Sequence, residues 1–130
     1  MPACLRMILL SFGVDMPESE LRVRCDSTIL GTSALGAVDA ARLIGFGASA
    51  KYTLAPDELK NLVTAGRYSI VFVSMLPIDA RDDLHALVVT GFAQHEVSVL
   101  DPLSGERTLP LPTFTAAWGI RHNLAILIER

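Results

Sequence analysis

Leu84-His85-Ala86-Leu87-Val88-Val89-Thr90-Gly91-Phe92-Ala93-Gln94-His95-Glu96-Val97-Ser98-Val99-Leu100-Asp101 is the stretch that decides the fold. Two apolar runs, Ala86 to Phe92 and Val97 to Leu100, flank the polar segment Ala93-Gln94-His95, the pattern of an antiparallel hairpin. With the hairpin centred near residue 93, His85 and Asp101, sixteen residues apart, face each other across the ladder. An imidazole held by a carboxylate is how an enzyme fixes the tautomer and orientation of a general base. The same residues have a plainer reading, in which His85 is a core histidine at a strand start and Asp101 an Asx-turn residue before Pro102.

Upstream of this stretch the periodicity is helical. Leu5, Ile8, Leu9 and Phe12 recur at helical spacing from Pro2 onward, and Gly13 offers a C-cap. Asp15 with Glu18 three residues later resembles a capping box, and Pro17 fits the first turn of a second helix to about Arg24. Thr32 or Ser33 caps a third helix that stops at Gly45. Strand character begins at Ala48 to Leu54, followed by a short helix from Pro56 through Val63, ending near Gly66. Tyr68 to Met75 reads as a central strand, with a polar loop from Pro77 to Asp83 leading to His85. After Asp101 come a turn at Pro102 to Gly105, a short strand Glu106 to Leu109, one helical turn between Pro112 and Trp118, and a last strand Leu124 to Ile128. Helices first and strands afterwards give a single α+β domain, residues 1–130, with a groove between the halves walled by the first helix and the His85 strand.

Composition limits the function classes. Eleven basic residues against fourteen acidic ones, a net charge of -3, leave no phosphate-binding surface, so nucleic acid is not the expected partner. Mean hydropathy is high at +0.43, yet no apolar run approaches the roughly 20 residues of a bilayer span, and direct membrane insertion is not expected. The start does not read as a secretory signal, and the two cysteines, Cys4 and Cys25, fit a reducing compartment. No spacing suits a metal or a cofactor, and Gly31, Gly45 and Gly66 punctuate helices without making a phosphate loop. His95 and His122 fall in turns, Cys25 reads as a small buried hydrophobe, Trp118 as core, and Arg81-Asp82-Asp83 as a solvated loop beside His85.

Several strings together resemble the papain-like peptidases that remove double-glycine leader peptides from bacteriocins, usually the N-terminal domain of an export ABC transporter. They are Pro-Ala-Cys-Leu-Arg-Met-Ile-Leu at 2 to 9, Leu21-Arg22 followed by Cys25, Gly31-Thr32-Ser33 leading into Ala40-Ala41-Arg42, Gly45-Phe46, Leu84 to Val89, and Val99-Leu100-Asp101-Pro102. The resemblance implies a papain-like fold with N-terminal helices packed on a mainly antiparallel sheet, His85 as the catalytic histidine and Asp101 as its orienting acid. It implies as partners a peptide with a Gly-Gly type leader and an export transporter, which would hold a cytoplasmic domain at the inner face of the membrane.

In that family the nucleophilic cysteine immediately precedes a glycine before the Pro-Ala-Cys-Leu type string, and a glutamine further upstream serves the oxyanion hole. Met1 occupies the glycine position here, so the expectation is a domain truncated before its nucleophile. A noncatalytic relative that binds an export peptide is the alternative. A third reading gives Cys4 the attacking role, since the first turn of a helix depresses a thiol pKa. Cys4, however, matches a position other than the family's nucleophile. With a complete site, the thiolate attacks, His85 moves the proton, Asp101 holds the imidazole, and backbone amides at the helix start supply one oxyanion donor worth roughly 3 kcal/mol.

Overall fold

A computed structural model describes residues 1–25 and 33–130. Helix α1, Pro2–Ser11, begins on a proline whose missing N–H costs nothing in a first turn, and it buries Cys4, Leu5, Ile8 and Leu9 along one stripe. It stops at Gly13, whose φ of +82° is open to glycine at little cost. Helix α2, Glu18–Arg24, has Pro17 at its N-cap. The expected capping box is not formed, because Asp15 reaches back to Arg6 at 3.4 Å instead. Ser33 caps α3, Ala34–Ile44, by accepting from the Gly36 amide at 3.0 Å; Gly31 and Thr32 lie outside the described residues. Gly36 is required by close approach, since a Cβ there would lie 2.4 Å from the Cys25 carbonyl oxygen.

Then follow β1 (Ala50–Thr53), α4 (Pro56–Thr64), β2 (Ser69–Ser74), α5 (Leu76–Asp79), β3 (Leu84–Phe92), β4 (Glu96–Asp101), β5 (Gly105–Pro110), α6 (Leu111–Ile120) and β6 (Leu124–Leu127). Two elements differ from the sequence expectation. The polar loop after β2 opens with a one-turn helix, α5, because Asp79 N and Ala80 N find the carbonyls of Met75 and Leu76. The single turn foreseen near Pro112 is a ten-residue helix, α6, extended by tertiary burial of Phe114, Ala117 and Trp118.

The six strands form one antiparallel sheet in the order β1-β6-β2-β3-β4-β5. Helices α1 to α3 pack on one face against Ile70, Ala86, Val88 and Ile126. The other face is covered too: α4 and α6 bury Leu59, Phe114 and Trp118 over Val71, Leu87 and Val99. Each such fully buried side chain contributes roughly 1.5–3 kcal/mol of transfer free energy. Trp118 is core, as its composition of neighbours requires, and its indole N–H is satisfied by the Leu124 carbonyl at 2.9 Å.

Candidate active site

His85 enters on β3 opposite Val73 of β2, on the face that also carries Leu87 and Val89. The β3–β4 register is Val88 with Leu100 and Val89 with Val99, then Gly91 with Ser98 and Phe92 with Val97, so an extra residue bulges at Thr90. A regular ladder built outward from the Phe92–Val97 pair would set Asp101 opposite Val88, facing away from His85. The bulge moves the carboxylate by one residue, opposite Leu87 as the register continues, and onto the face of His85. The two side chains therefore meet on a diagonal and not directly across the ladder as the sequence reading had it.

The contact is short: His85 Nε2 lies 2.8 Å from Asp101 Oδ1. Oδ1 also accepts the Leu103 amide at 2.8 Å, so the Asx turn and the histidine partnership coexist on one oxygen. Asp101 is 1% exposed, whereas the His85 side chain keeps 18% of its surface open. Burial pushes the Asp101 carboxyl up, but the His85 hydrogen bond and the Leu103 amide more than offset it, leaving the group below its ordinary value. With Nε2 facing the carboxylate, Nδ1 is the ring nitrogen left for a reacting group.

Cys4 is built differently. It is fully buried, and its thiol donates to the Ala86 carbonyl at 3.4 Å, which fastens α1 beside the residue after His85. Burial pushes the thiol up to about 12, outweighing the lowering effect of the nearby N-terminal charge. A helix-start position therefore does not make Cys4 a thiolate. Cys25 is also free and buried, its thiol raised by desolvation. His95 and His122 are exposed.

Sequence reasoning missed two residues beside this pair. Arg107 on β5 donates two hydrogen bonds of 2.8 Å to the two carboxylate oxygens of Asp79 at the end of α5. Its Nη1 lies 3.7 Å from Asp101 Oδ2. That pairing holds the Asp79 carboxyl below its usual range and raises the guanidinium. The one available signal was strand alternation, which puts Arg107 on the same side as buried Leu109.

At Cys4 and Ala86, α1 and β3 are in closed, buried contact and do not wall the groove expected between the two halves. A cavity of about 380 Å³ lies elsewhere, at the far end of α1, between Phe12, Arg67, Tyr68 and Glu129. Arg130 closes that end, stacked over Phe12 and Phe46 at 5.6 and 5.2 Å. Among the described residues no group of three potential ligands could hold a metal ion, and no helix is long and apolar enough to cross a membrane.

An antiparallel sheet that carries an imidazole–carboxylate pair, with the start of a buried helix fastened to the same strand, is the framework of a papain-like cysteine peptidase. The profile of the peptidase C39 family matches residues 1–130, and the chain belongs to that family. The lactococcin-A transport/processing ATP-binding protein LcnC of Lactococcus lactis subsp. lactis is 35% identical over 101 residues, which cover 77% of this chain and 13% of LcnC. The chain thus spans a small part of that relative. Among solved structures, the peptidase domain of Streptococcus ComA, a bi-functional ABC transporter involved in quorum sensing, superposes with a TM-score of 0.81 at 26% identity, over 99% of this chain and 90% of that one. A double glycine motif protease from an AMS/PCAT transporter, in complex with its leader peptide, shares the fold with a TM-score of 0.76 at 23% identity, over 96% and 79% of the two chains.

Proposed function

We propose that this domain cleaves peptides on the carboxyl side of a double-glycine or Gly-Ala leader, as the processing half of an export system at the inner face of a membrane. The attacking thiol would be that of a cysteine at the head of α1, where the resemblance places the family's nucleophile. The observation that carries the reading is the 2.8 Å contact between His85 and a carboxylate that is 1% exposed, made by an imidazole with its other nitrogen free for proton transfer.

The thiol proton passes to His85 Nδ1 as sulfur attacks the carbonyl carbon of the second small residue, and Asp101 holds the resulting imidazolium. The imidazolium then protonates the leaving amine, which departs as the new N-terminus of the mature peptide. Water, deprotonated by His85, hydrolyses the thioester and releases the leader with a free carboxylate. Small side chains at the cut let an extended peptide thread a narrow slot. Family membership, the likeness to the ComA peptidase domain and the transport/processing role of LcnC support this substrate class.

The test is cleavage of a double-glycine leader peptide, read by mass spectrometry, with this chain and with a version extended upstream in its genomic frame. Cleavage by the extended form, lost in His85→Ala, is the expected result. Saturable peptide binding with no cleavage by either form would replace the enzyme with a peptidase-like binding module.

A further inference from the structure

Asp101 presents two unequal oxygens. Oδ1 is taken by His85 Nε2 and by the Leu103 amide. Oδ2 is buried and has no hydrogen-bond partner among the described residues. Its cationic neighbour is the Arg107 guanidinium, 3.7 Å away, which is too far for a hydrogen bond and close enough for direct charge attraction. Arg107 is kept at that distance because both its terminal nitrogens are committed to Asp79 at 2.8 Å. Asp79 is placed in turn by α5, by the left-handed Ala80 that ends it, and by a second cation, Arg81, at 3.6 Å.

A buried acceptor beside an already occupied guanidinium has a physical consequence. A carboxylate whose two oxygens were equivalent could rotate and exchange them, loosening its hold on the imidazole. The charge beside Oδ2 removes that equivalence and leaves Oδ1 to the histidine. An unrestrained guanidinium would instead fork across both oxygens, as arginine does with carboxylates, and compete with His85 for Oδ1. We propose that Arg107, restrained by Asp79, is a positioning residue for the His85–Asp101 pair: it fixes the carboxylate so that the neutral imidazole carries its proton on Nε2 and keeps Nδ1 free. Its importance for catalysis rests on the reading of His85 as the proton-transfer residue; its effect on the ring does not.

The experiment therefore reads the ring. The chain has three histidines, so a nitrogen-15 spectrum of the imidazoles is simple, and His85→Gln identifies the His85 signals. In the unaltered chain His85 is the Nε2–H tautomer. Arg107→Met shifts the ratio of the two tautomers toward Nδ1–H by about tenfold or more, and Arg107→Lys, which restores a charge without the fork, recovers part of it. Asp79→Asn moves the ratio the same way by releasing the guanidinium onto Oδ1, and serves if Arg107→Met does not fold. Retained chemical-shift dispersion of the buried Ile70, Val88 and Trp118 side chains establishes folding in each variant. A His85 ratio within twofold of the unaltered chain in a folded variant overturns the proposal and leaves Arg107 and Asp79 as a loop-pinning ion pair. Because no cleavage is measured, a domain that cuts nothing would defeat the functional reading while the ring result stood, and the converse holds equally.

Discussion

His85 and Cys4 meet the same strand at neighbouring residues and are built on opposite terms. The histidine is polar, part open to solvent and hydrogen-bonded to a buried carboxylate; the cysteine is sealed among apolar side chains with its thiol pushed up to about 12. Their difference teaches that the surroundings assign the chemistry. A residue type able to react, set at a helix start, is silenced by burial, while an imidazole that could have been core is held part-open by one buried carboxylate. Chemistry is concentrated on the sheet side, and packing on the helix side.

The sharpest way to break that contrast is Asp101→Asn. The amide keeps the shape but no longer enforces one tautomer, so cleavage by an upstream-extended form should fall by about a thousandfold or more, read as kcat/KM. The same variant has a pH signature. The folded carboxyl lies below its ordinary value, so Asp101 stabilises the fold fully above its unfolded pKa of about 3.9, and that contribution disappears as pH falls through the lower folded value. Denaturant melts should show the unaltered chain ahead of Asp101→Asn from pH 7 to 5 and the gap closing below about pH 4. A gap that widened in acid would contradict the assignment.

On the helix side the changes should register as stability alone. Gly36→Ala adds a good helix former, which in an exposed helix would stabilise by about 1 kcal/mol; here the new methyl meets the Cys25 carbonyl, and a loss of about 2 kcal/mol is expected in urea melts. Cys4→Ala should cost about 1–2 kcal/mol by leaving a small void, without altering the His85 tautomer. At pH 8 a thiol at about 12 is roughly one part in 10⁴ thiolate, so iodoacetamide should leave Cys4 unmodified in the native chain and label it after denaturation. Arg130→Ala, which removes a cation stacked on Phe12 and Phe46 at the far end of α1, should cost about 0.5 kcal/mol. Rapid labelling of native Cys4 would be the result hardest to reconcile with this division.

The sequence carried most of the frame. Periodicity at Leu5, Ile8 and Leu9, proline and glycine punctuation, and β-branched runs all follow local rules, and the helices and strands they imply are present. The hairpin pattern alone pairs His85 with Asp101, the family strings agree, and the two side chains are in contact. What stayed hidden was set by tertiary context. The Thr90 bulge has no local signature, and without it the alternation along β3 points Asp101 to the wrong face. Helix α6 runs longer than its sequence alone suggested because Phe114 and Trp118 find a sheet to cover. Arg107 and Asp79, 28 residues apart, become neighbours only once β5 is laid beside β4. Burial of Cys4, likewise, is a property of the α1–β3 junction and not of the string Pro-Ala-Cys-Leu.

That junction also has a mechanical side. A thiol docked on the carbonyl of Ala86 ties the beginning of α1 to the strand that carries His85. The spacing between the head of the helix and the imidazole is thereby set by packing within the scaffold. Of the two segments that border the pair, residues 76–83 and 102–104, the first is pinned through Asp79 to Arg107, and each exposes one leucine, Leu76 or Leu103.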